Sequence, residues 1–362
     1  MNKKITSFLI LIYILLEIMS FFNYTFFTFF NNYNVLFSFI VFFLIYAGNI
    51  DKFDKKDLYF TILLSIALIF STLLNNGSIG SVLNIICLVL GIVIFSKISI
   101  SNSCYKLIIV LLILLLGFDM YKSLSVYNTT LYYKNTDFNS NTIAQCVLYI
   151  NMIIFLYFKK AKKNTIMLLI LLVPCSIWII VNTQSRGAAL SYMLFIFLFL
   201  FRNSKIIKEK GNILLFALSI LGTLFPIVYL NMFKRGINYT IPLINKSLYT
   251  GRETLWLYSY EALVSAPMNI FIGLGSNFTI IGQETLNLHN MFFALIVNFG
   301  IVIFFIIMSW LRRFIRKNVR IEMVFSLLPI ALLSFFETTI LWNAILVFIL
   351  IIENIIVNDL SY

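Results

Sequence analysis

The stretch "LNLHNMFFALIVNFG", residues 286–300, contains His289, the only histidine among the 362 residues, just before a long apolar run. The rest of the chain is equally apolar. Hydrophobic residues make up 61% of the sequence and charged residues 11%, and the mean hydropathy is +0.98. Soluble domains are about 45–50% apolar and about 25% charged. The composition therefore excludes an ordinary soluble protein and predicts an all-α, polytopic membrane protein with one membrane domain over residues 1–362.

Twelve apolar runs approach the length of about 20 residues that a membrane-spanning helix needs. They cover approximately residues 5–23, 34–50, 58–75, 79–96, 105–122, 140–158, 164–182, 187–202, 212–231, 288–310, 321–337 and 341–357. The first run follows Lys3 and Lys4 and has no small-x-small cleavage site. We therefore predict that it is a retained span and not a removed signal peptide.

The distribution of basic residues predicts the orientation of these spans. With a cytoplasmic N-terminus, 20 of the 27 Lys and Arg residues fall in inner loops. Because inner loops of membrane proteins carry an excess of Lys and Arg, this bias supports twelve spans with both termini in the cytoplasm. The net charge of +13 is then explained by membrane orientation, and nucleic acid is not an expected partner.

The longest predicted outer loop covers residues 232–287, between the ninth and tenth spans. Thr250 and Glu253 have the S/T-x-x-E spacing of a capping box. Apolar residues follow at close to helical spacing, and Pro267 closes the pattern. The loop is therefore predicted to carry a short amphipathic helix that begins near Arg252 and lies on the outer membrane surface.

Three basic side chains stand at predicted helix starts on the outer side. They are Arg186, Arg252 and His289, the last preceded by a predicted flexible turn at "GLGS", residues 273–276. A cation at a helix N-terminus is unfavourable unless an anion joins it. Free N–H groups at such ends bind phosphate, and arginine adds a two-pronged contact. Together the three predict a phosphate or diphosphate site. Singly, Arg186 is equally well explained as an interfacial residue, and Arg252 and His289 are better explained as solvated or interfacial polar residues.

The order of the motifs resembles one known family. "SRGA" opens a span, "GR…W" lies in the large outer loop, and "P…GLG…HN" enters the next span, as in the O-antigen ligase and polymerase (WaaL/Wzy) family. The resemblance covers residues 180–300 and the twelve-span layout. It implies a lipid-carrier-dependent glycosyltransferase of GT-C-like architecture that uses polyprenyl-diphosphate-linked glycans at the outer face of the plasma membrane. It implies no cofactor or metal; the expected partners are membrane lipid, a flippase and a chain-length regulator.

The resemblance also implies roles for individual residues. Arg186 and Arg252 match the family's essential arginines, which would stabilise charge on the departing diphosphate, and His289 matches its catalytic histidine. An imidazole, whose ordinary pKa is about 6.5, can accept the proton of the acceptor hydroxyl, and in-line attack would invert the anomeric centre. The predicted substrate contacts are Gln184, Ser185, Trp256, Asn290 and Glu337. Glu337 is equally explained as a solvated cap.

The motifs leave two activities of this family open. A polymerase joins lipid-linked repeat units into surface polysaccharide such as O-antigen or capsule, whereas a ligase passes the glycan to lipid A core or another acceptor. The compact chain and a composition typical of AT-rich genomes favour the polymerase. The alternative from another class is a transporter or flippase of lipid-linked glycans. Transporters place charges and broken helices near the membrane midplane in paired repeats, and the sequence indicates neither.

Overall fold

The computed structural model of the chain is helical, as the composition predicts. It describes residues 3–20, 24–75, 77–125, 140–163, 165–183, 185–202, 204–237, 240–241, 246–247, 251–280, 288–317, 321–338 and 343–357. Within these ranges the regular structure is α-helical apart from one 3₁₀ turn, Ile50–Lys52, and one small hairpin. The hairpin pairs the strands β1, Thr240–Ile241, and β2, Lys246–Ser247, in antiparallel register.

The helices follow the predicted apolar runs closely. The first seven are α1 Lys3–Ser20, α2 Tyr24–Ala47, α3 Lys55–Leu74, α4 Ile79–Phe95, α5 Asn102–Ser125, α6 Ser140–Lys160 and α7 Ile166–Thr183. The others are α8 Arg186–Leu200, α9 Lys205–Lys234, α10 Arg252–Val264, α11 Pro267–Ile272, α12 Met291–Lys317, α13 Ile321–Leu333 and α14 Asn343–Val357. Each of the twelve runs overlaps one helix, and α10 and α11 lie in the predicted outer loop.

Several of these helices suit a membrane. Among the described residues, α3, α5, α6, α7, α9 and α12 are long and apolar enough to cross one. The apolar parts of α1, α2, α4, α8, α13 and α14 are shorter, at 10–17 residues. The fold is therefore that of a helical protein with several candidate spans, and the number twelve stays a prediction.

The helices differ in how deeply they are buried. In α6, 83% of the apolar window is buried inside the protein, against 22% in α3 and in α7. Helix α6 packs against α14, α7, α8 and α5. The apolar faces that α3 and α7 turn outward are what lipid chains would cover, since a peripheral helix that is apolar on all sides fits a membrane environment.

Helix α10 begins where the sequence predicts, and its position on an outer membrane surface stays a prediction. Helix α10 starts at Arg252, and its N-cap is Gly251 with φ of 87° and no side-chain cap bond. Thr250 lies outside the described residues, so the capping box stays a prediction, and Glu253 is buried. The helix packs against α9, α11 and α12. Pro267 opens α11 at its first turn and does not merely end α10.

Helix α12 is broken at Gly300, where φ is 81° and ψ is 170°. The end of α11 packs into this break, because a Cβ at Gly300 would overlap the carbonyl oxygen of Phe271. Next to the break, the Leu274 N–H donates to the Val297 carbonyl at 2.6 Å. A positive φ and the close backbone approach both require glycine at position 300.

The "GLGS" segment is also tied to the turn after α3. The Asn75 amide and the Ser71 hydroxyl donate to the Ile272 carbonyl at 2.6 Å and 2.8 Å. The Ser78 N–H donates to the Ser276 hydroxyl at 2.8 Å. Hydrogen bonds and backbone packing thus contact both ends of the segment, and its predicted flexibility stays a prediction.

Candidate functional site

Glu337, four residues after the end of α13, joins two of the three predicted catalytic residues. Its Oε1 lies 3.3 Å from Arg252 Nη2, and its Oε2 lies 3.1 Å from His289 Nδ1. Only 9% of the Glu337 side chain is exposed, so it is not a solvated cap. The Arg252 Nη1 also donates to the Phe336 carbonyl at 2.8 Å. The arginine at this helix start therefore has an anion beside it from the protein itself.

The contact with Glu337 orients the imidazole of His289. Because a carboxylate only accepts hydrogen bonds, the contact with an ionised Glu337 gives Nδ1 the donor role and leaves Nε2 as the second ring nitrogen of the site. The His289 side chain is 22% exposed, which leaves it accessible from the site. Its φ of 48° lies in the left-handed region, which is uncommon for residues other than glycine.

Asn290 fixes the start of α12 directly behind His289. Its side-chain oxygen accepts from the Phe293 N–H at 2.8 Å, which is the geometry of an N-cap. Its amide nitrogen donates to the carbonyls of Gly222 and Phe335, both at 3.1 Å. Asn290 is fully buried. In this structure it connects α9, α12 and the end of α13, and its predicted contact with substrate stays a prediction.

Two further hydrogen bonds hold the backbone on either side of His289, at Leu288 and Met291. The Trp256 indole N–H donates to the Leu288 carbonyl, and the Met291 N–H donates to the Ser334 carbonyl at 2.9 Å. Trp256 is buried, and its ring meets that of Tyr229 edge-on at 5.2 Å. Trp256 thus positions the backbone before His289, and substrate contact by Trp256 also stays a prediction.

Arg186 lies on the same side of the protein as this cluster. It is the first residue of α8, and a Cβ on the next residue, Gly187, would lie 2.7 Å from the Phe336 Cβ. The start of α8 therefore packs directly against the residue before Glu337. The structure brings the three predicted catalytic positions into one neighbourhood.

The other two predicted contacts flank Arg186. Ser185 is the N-cap of α8 and is buried, and its side chain makes no cap bond. Its backbone N–H donates to the Thr183 hydroxyl at 3.3 Å. Gln184 lies outside the described residues, so its predicted contact stays a prediction. Ser185 accordingly helps to shape the turn that presents Arg186.

One buried pair in this cluster is not predicted from the sequence. The Tyr229 hydroxyl donates to Glu253 Oε1 at 2.7 Å, and 3% of Glu253 is exposed. This bond ties α9 to the first turn of α10, next to Arg252. The signal was present, because Glu253 and Trp256 are three residues apart and therefore share one helix face. An acidic residue on an apolar face indicates a buried partner.

The cluster offers an oriented imidazole, a buried carboxylate and two guanidinium groups. Within the part of the chain that the structure describes, no three His, Cys, Asp or Glu side chains gather as a metal site would require. Comparison of the chain with protein-family models, curated proteins and solved structures finds no match. The chemistry of these side chains and the order of the motifs therefore carry the functional argument.

Proposed function

We propose that the protein is an inverting glycosyltransferase that polymerises lipid-linked oligosaccharide units. It would transfer a glycan from a polyprenyl diphosphate to a hydroxyl group of a second lipid-linked unit. One observation carries this proposal: the Glu337 carboxylate bridges His289 and Arg252. Arg186 begins the helix whose next residue, Gly187, packs against Phe336. The same three basic residues are those that the resemblance to the O-antigen ligase and polymerase family assigns to catalysis.

In the proposed step, Nε2 of His289 accepts the proton of the acceptor hydroxyl. The acceptor oxygen attacks the anomeric carbon, the bond from that carbon to the diphosphate oxygen breaks, and its electron pair leaves with the diphosphate. The products are an extended glycan on one lipid and a free polyprenyl diphosphate. Glu337 stabilises the imidazolium that forms and keeps the ring in the productive orientation, as a carboxylate does in other histidine-based sites.

The arginines would stabilise the leaving group. In the resting site the Glu337 charge offsets that of Arg252. When His289 takes up a proton, Glu337 lies between two cations, the imidazolium and the Arg252 guanidinium. The total charge of these three side chains then becomes more positive by one. This happens as negative charge builds on the diphosphate. Preorganised groups of this kind lower the activation barrier by roughly 3–4 kcal/mol each.

The membrane arrangement that goes with this proposal follows from the charge bias. Arg186, Arg252 and His289 all stand at helix ends that the positive-inside rule assigns to the outer face. We infer a GT-C-like architecture of twelve spans in the plasma membrane with cytoplasmic termini and an outward-facing site. A flippase that delivers the donor and a regulator of chain length are the partners that such a reaction needs.

The test is a reconstituted reaction with full-length protein, a defined lipid-linked repeat unit and rates measured from pH 5 to 8. Wild type should form ladders of lipid-linked polymer, and its rate should fall towards acid pH, because protonation removes the proton-accepting form of an imidazole. His289→Gln and His289→Asn should lose about 10²–10⁴-fold in rate while still binding the lipid diphosphate. A His289→Gln rate and pH profile equal to wild type would exclude the histidine as base.

The acceptor distinguishes the two activities. Wild type is expected to extend a lipid-linked repeat unit and to leave lipid A core unglycosylated. Transfer to lipid A core without polymer ladders would make the protein a ligase. Movement of the lipid-linked unit across a vesicle membrane without formation of any glycosidic bond would make it a transporter.

A further inference from the structure

An apolar cavity of about 320 Å³ lies between α9, α12 and α13, and Met291, two residues after His289, is part of its wall. A second space of about 340 Å³ continues along α9 and α12. The two share Phe216, Ser219, Met308 and Arg312 as lining residues. Volumes in this range are typical of sites that hold a ligand.

The walls of the first cavity are apolar side chains from all three helices, with few polar groups. The two hydroxyl groups on its wall already donate within their own helices: Ser219 to the Leu215 carbonyl at 3.0 Å and Ser334 to the Ile330 carbonyl at 2.8 Å. The charged group on the wall is Arg312. Such a lining fits a chain of methylene groups and not a sugar, because it offers a sugar few partners for its hydroxyl groups.

Arg312 stands at the mouth of this cavity. Its guanidinium carbon lies 4.9 Å from the centre of the Phe216 ring, a cation–π contact that holds the charge beside the apolar walls. It belongs to the basic stretch 312–320 that the positive-inside rule assigns to the cytoplasmic side. The mouth is therefore suited to an anionic group that carries an apolar chain.

Tight packing surrounds Gly222 of α9, beside the cavity-lining residue Phe292. A Cβ at Gly222 would lie 2.7 Å from a ring atom of Phe335 and would overlap the ring of Phe292. At the same level the Asn290 amide donates to the Gly222 carbonyl at 3.1 Å.

We propose that the cavity binds one anionic membrane phospholipid. One acyl chain lies between α9, α12 and α13, and the phosphate accepts hydrogen bonds from Arg312. Basic pockets between membrane helices on the cytoplasmic side recognise anionic head groups in this way. This lipid is distinct from the donor of the proposed reaction, and its binding does not depend on that reaction.

The test is native mass spectrometry of the purified full-length protein, titrated with dioleoylphosphatidylglycerol or dioleoylphosphatidylcholine. Wild type should bind the anionic lipid about fivefold more tightly, since one basic residue near a membrane contributes about 1 kcal/mol. Arg312→Gln should remove this preference. Arg313→Gln, which changes the adjacent exposed arginine that does not line the cavity, should retain it. Ala331→Phe or Ser219→Leu should weaken binding of both lipids by filling the space.

Three results would overturn the proposal. The first is an equal loss of preference in Arg313→Gln and Arg312→Gln, which would indicate diffuse attraction to a basic surface. The second is unchanged binding in a filling variant whose thermal unfolding midpoint matches wild type. The third is displacement of phosphatidylglycerol by farnesyl diphosphate in wild type but not in Arg312→Gln, which would assign the cavity to an isoprenoid chain.

Discussion

The carboxylate of Glu337 lies 3.1 Å from His289 Nδ1, although 48 residues separate the two in the sequence. The second oxygen of the same carboxylate lies 3.3 Å from Arg252. One nearly buried anion therefore orients an imidazole and offsets a guanidinium. Removing this anion should disturb both groups, because a charge left without its partner in a partly buried site is costly.

Glu337→Gln is expected to lower the transfer rate by about tenfold or more. Glutamine can still accept a hydrogen bond from the imidazole, but it carries no charge to stabilise the imidazolium that forms during proton transfer. The measurement is the rate in the reconstituted reaction at saturating donor. Glu261→Gln is the matched control, because Glu261 is exposed and lies 3.8 Å from Lys234, away from His289. Equal rates in the two variants would contradict the role given to Glu337.

Arg186→Lys is expected to lose about ten- to a hundredfold in rate, since an ammonium group cannot reproduce the two-pronged contact of a guanidinium with phosphate. The measurement is polymer yield at equal protein level in the membrane. Arg235→Lys changes an exposed arginine after α9 and should behave as wild type. A normal yield from Arg186→Lys would reduce Arg186 to a generic interfacial charge.

Tyr229→Phe should destabilise the protein and impair transfer together. The substitution leaves the buried Glu253 carboxylate without the hydrogen bond from Tyr229, which costs about 1–3 kcal/mol. It also loosens the first turn of α10, where Arg252 stands. The measurement is the thermal unfolding midpoint, with the transfer rate taken below it. Tyr258→Phe, on the exposed face of α10, is the control and should leave the midpoint and the transfer rate unchanged. An unchanged midpoint in Tyr229→Phe would argue against the hydrogen bond between Tyr229 and Glu253.

Gly300→Ala should lower the thermal unfolding midpoint strongly. The new methyl group would overlap the Phe271 carbonyl, and the positive φ at this position is unfavourable for alanine. Gly117→Ala is the matched control, because no atom lies within 4 Å of the added Cβ in the middle of α5. The control should be neutral or stabilising by up to about 1 kcal/mol, since alanine favours helix. Similar midpoints for the two variants would be inconsistent with the packed break in α12.

The orientation of the outer loop is tested by labelling single cysteines in a variant that lacks the four native ones. A cysteine at Asn238 should react with an impermeant thiol reagent in intact cells, because the loop 232–287 is predicted to lie outside. A cysteine at Lys162 should react only after the cells are opened. Labelling of position 162 but not of position 238 in intact cells would invert the topology and move His289 to the cytoplasmic side.

The sequence by itself determined the helices. Hydropathy and segment length are properties of neighbouring residues, so each of the twelve apolar runs coincides with a helix, and α10 begins at Arg252 as predicted. The sequence also singled out Arg186, Arg252 and His289, since a cation at a predicted helix start is a local irregularity that can be seen without coordinates. The proposed orientation of the helices in the membrane likewise rests on the Lys and Arg residues of the individual loops.

Only the tertiary structure decided what these residues touch. From the sequence alone, Glu337 fits a solvated cap and Glu253 fits a capping box. In the structure, Glu337 packs against His289 and Arg252, and the Tyr229 hydroxyl donates to Glu253. Glycine is conformationally permissive, and for that reason the "GLGS" segment is predicted to be flexible. At Gly300, outside that segment, the same permissiveness allows the close packing at the helix break. These contacts join helices far apart in the chain. No sequence period encodes them, because they depend on how side chains of several helices fill one shared space.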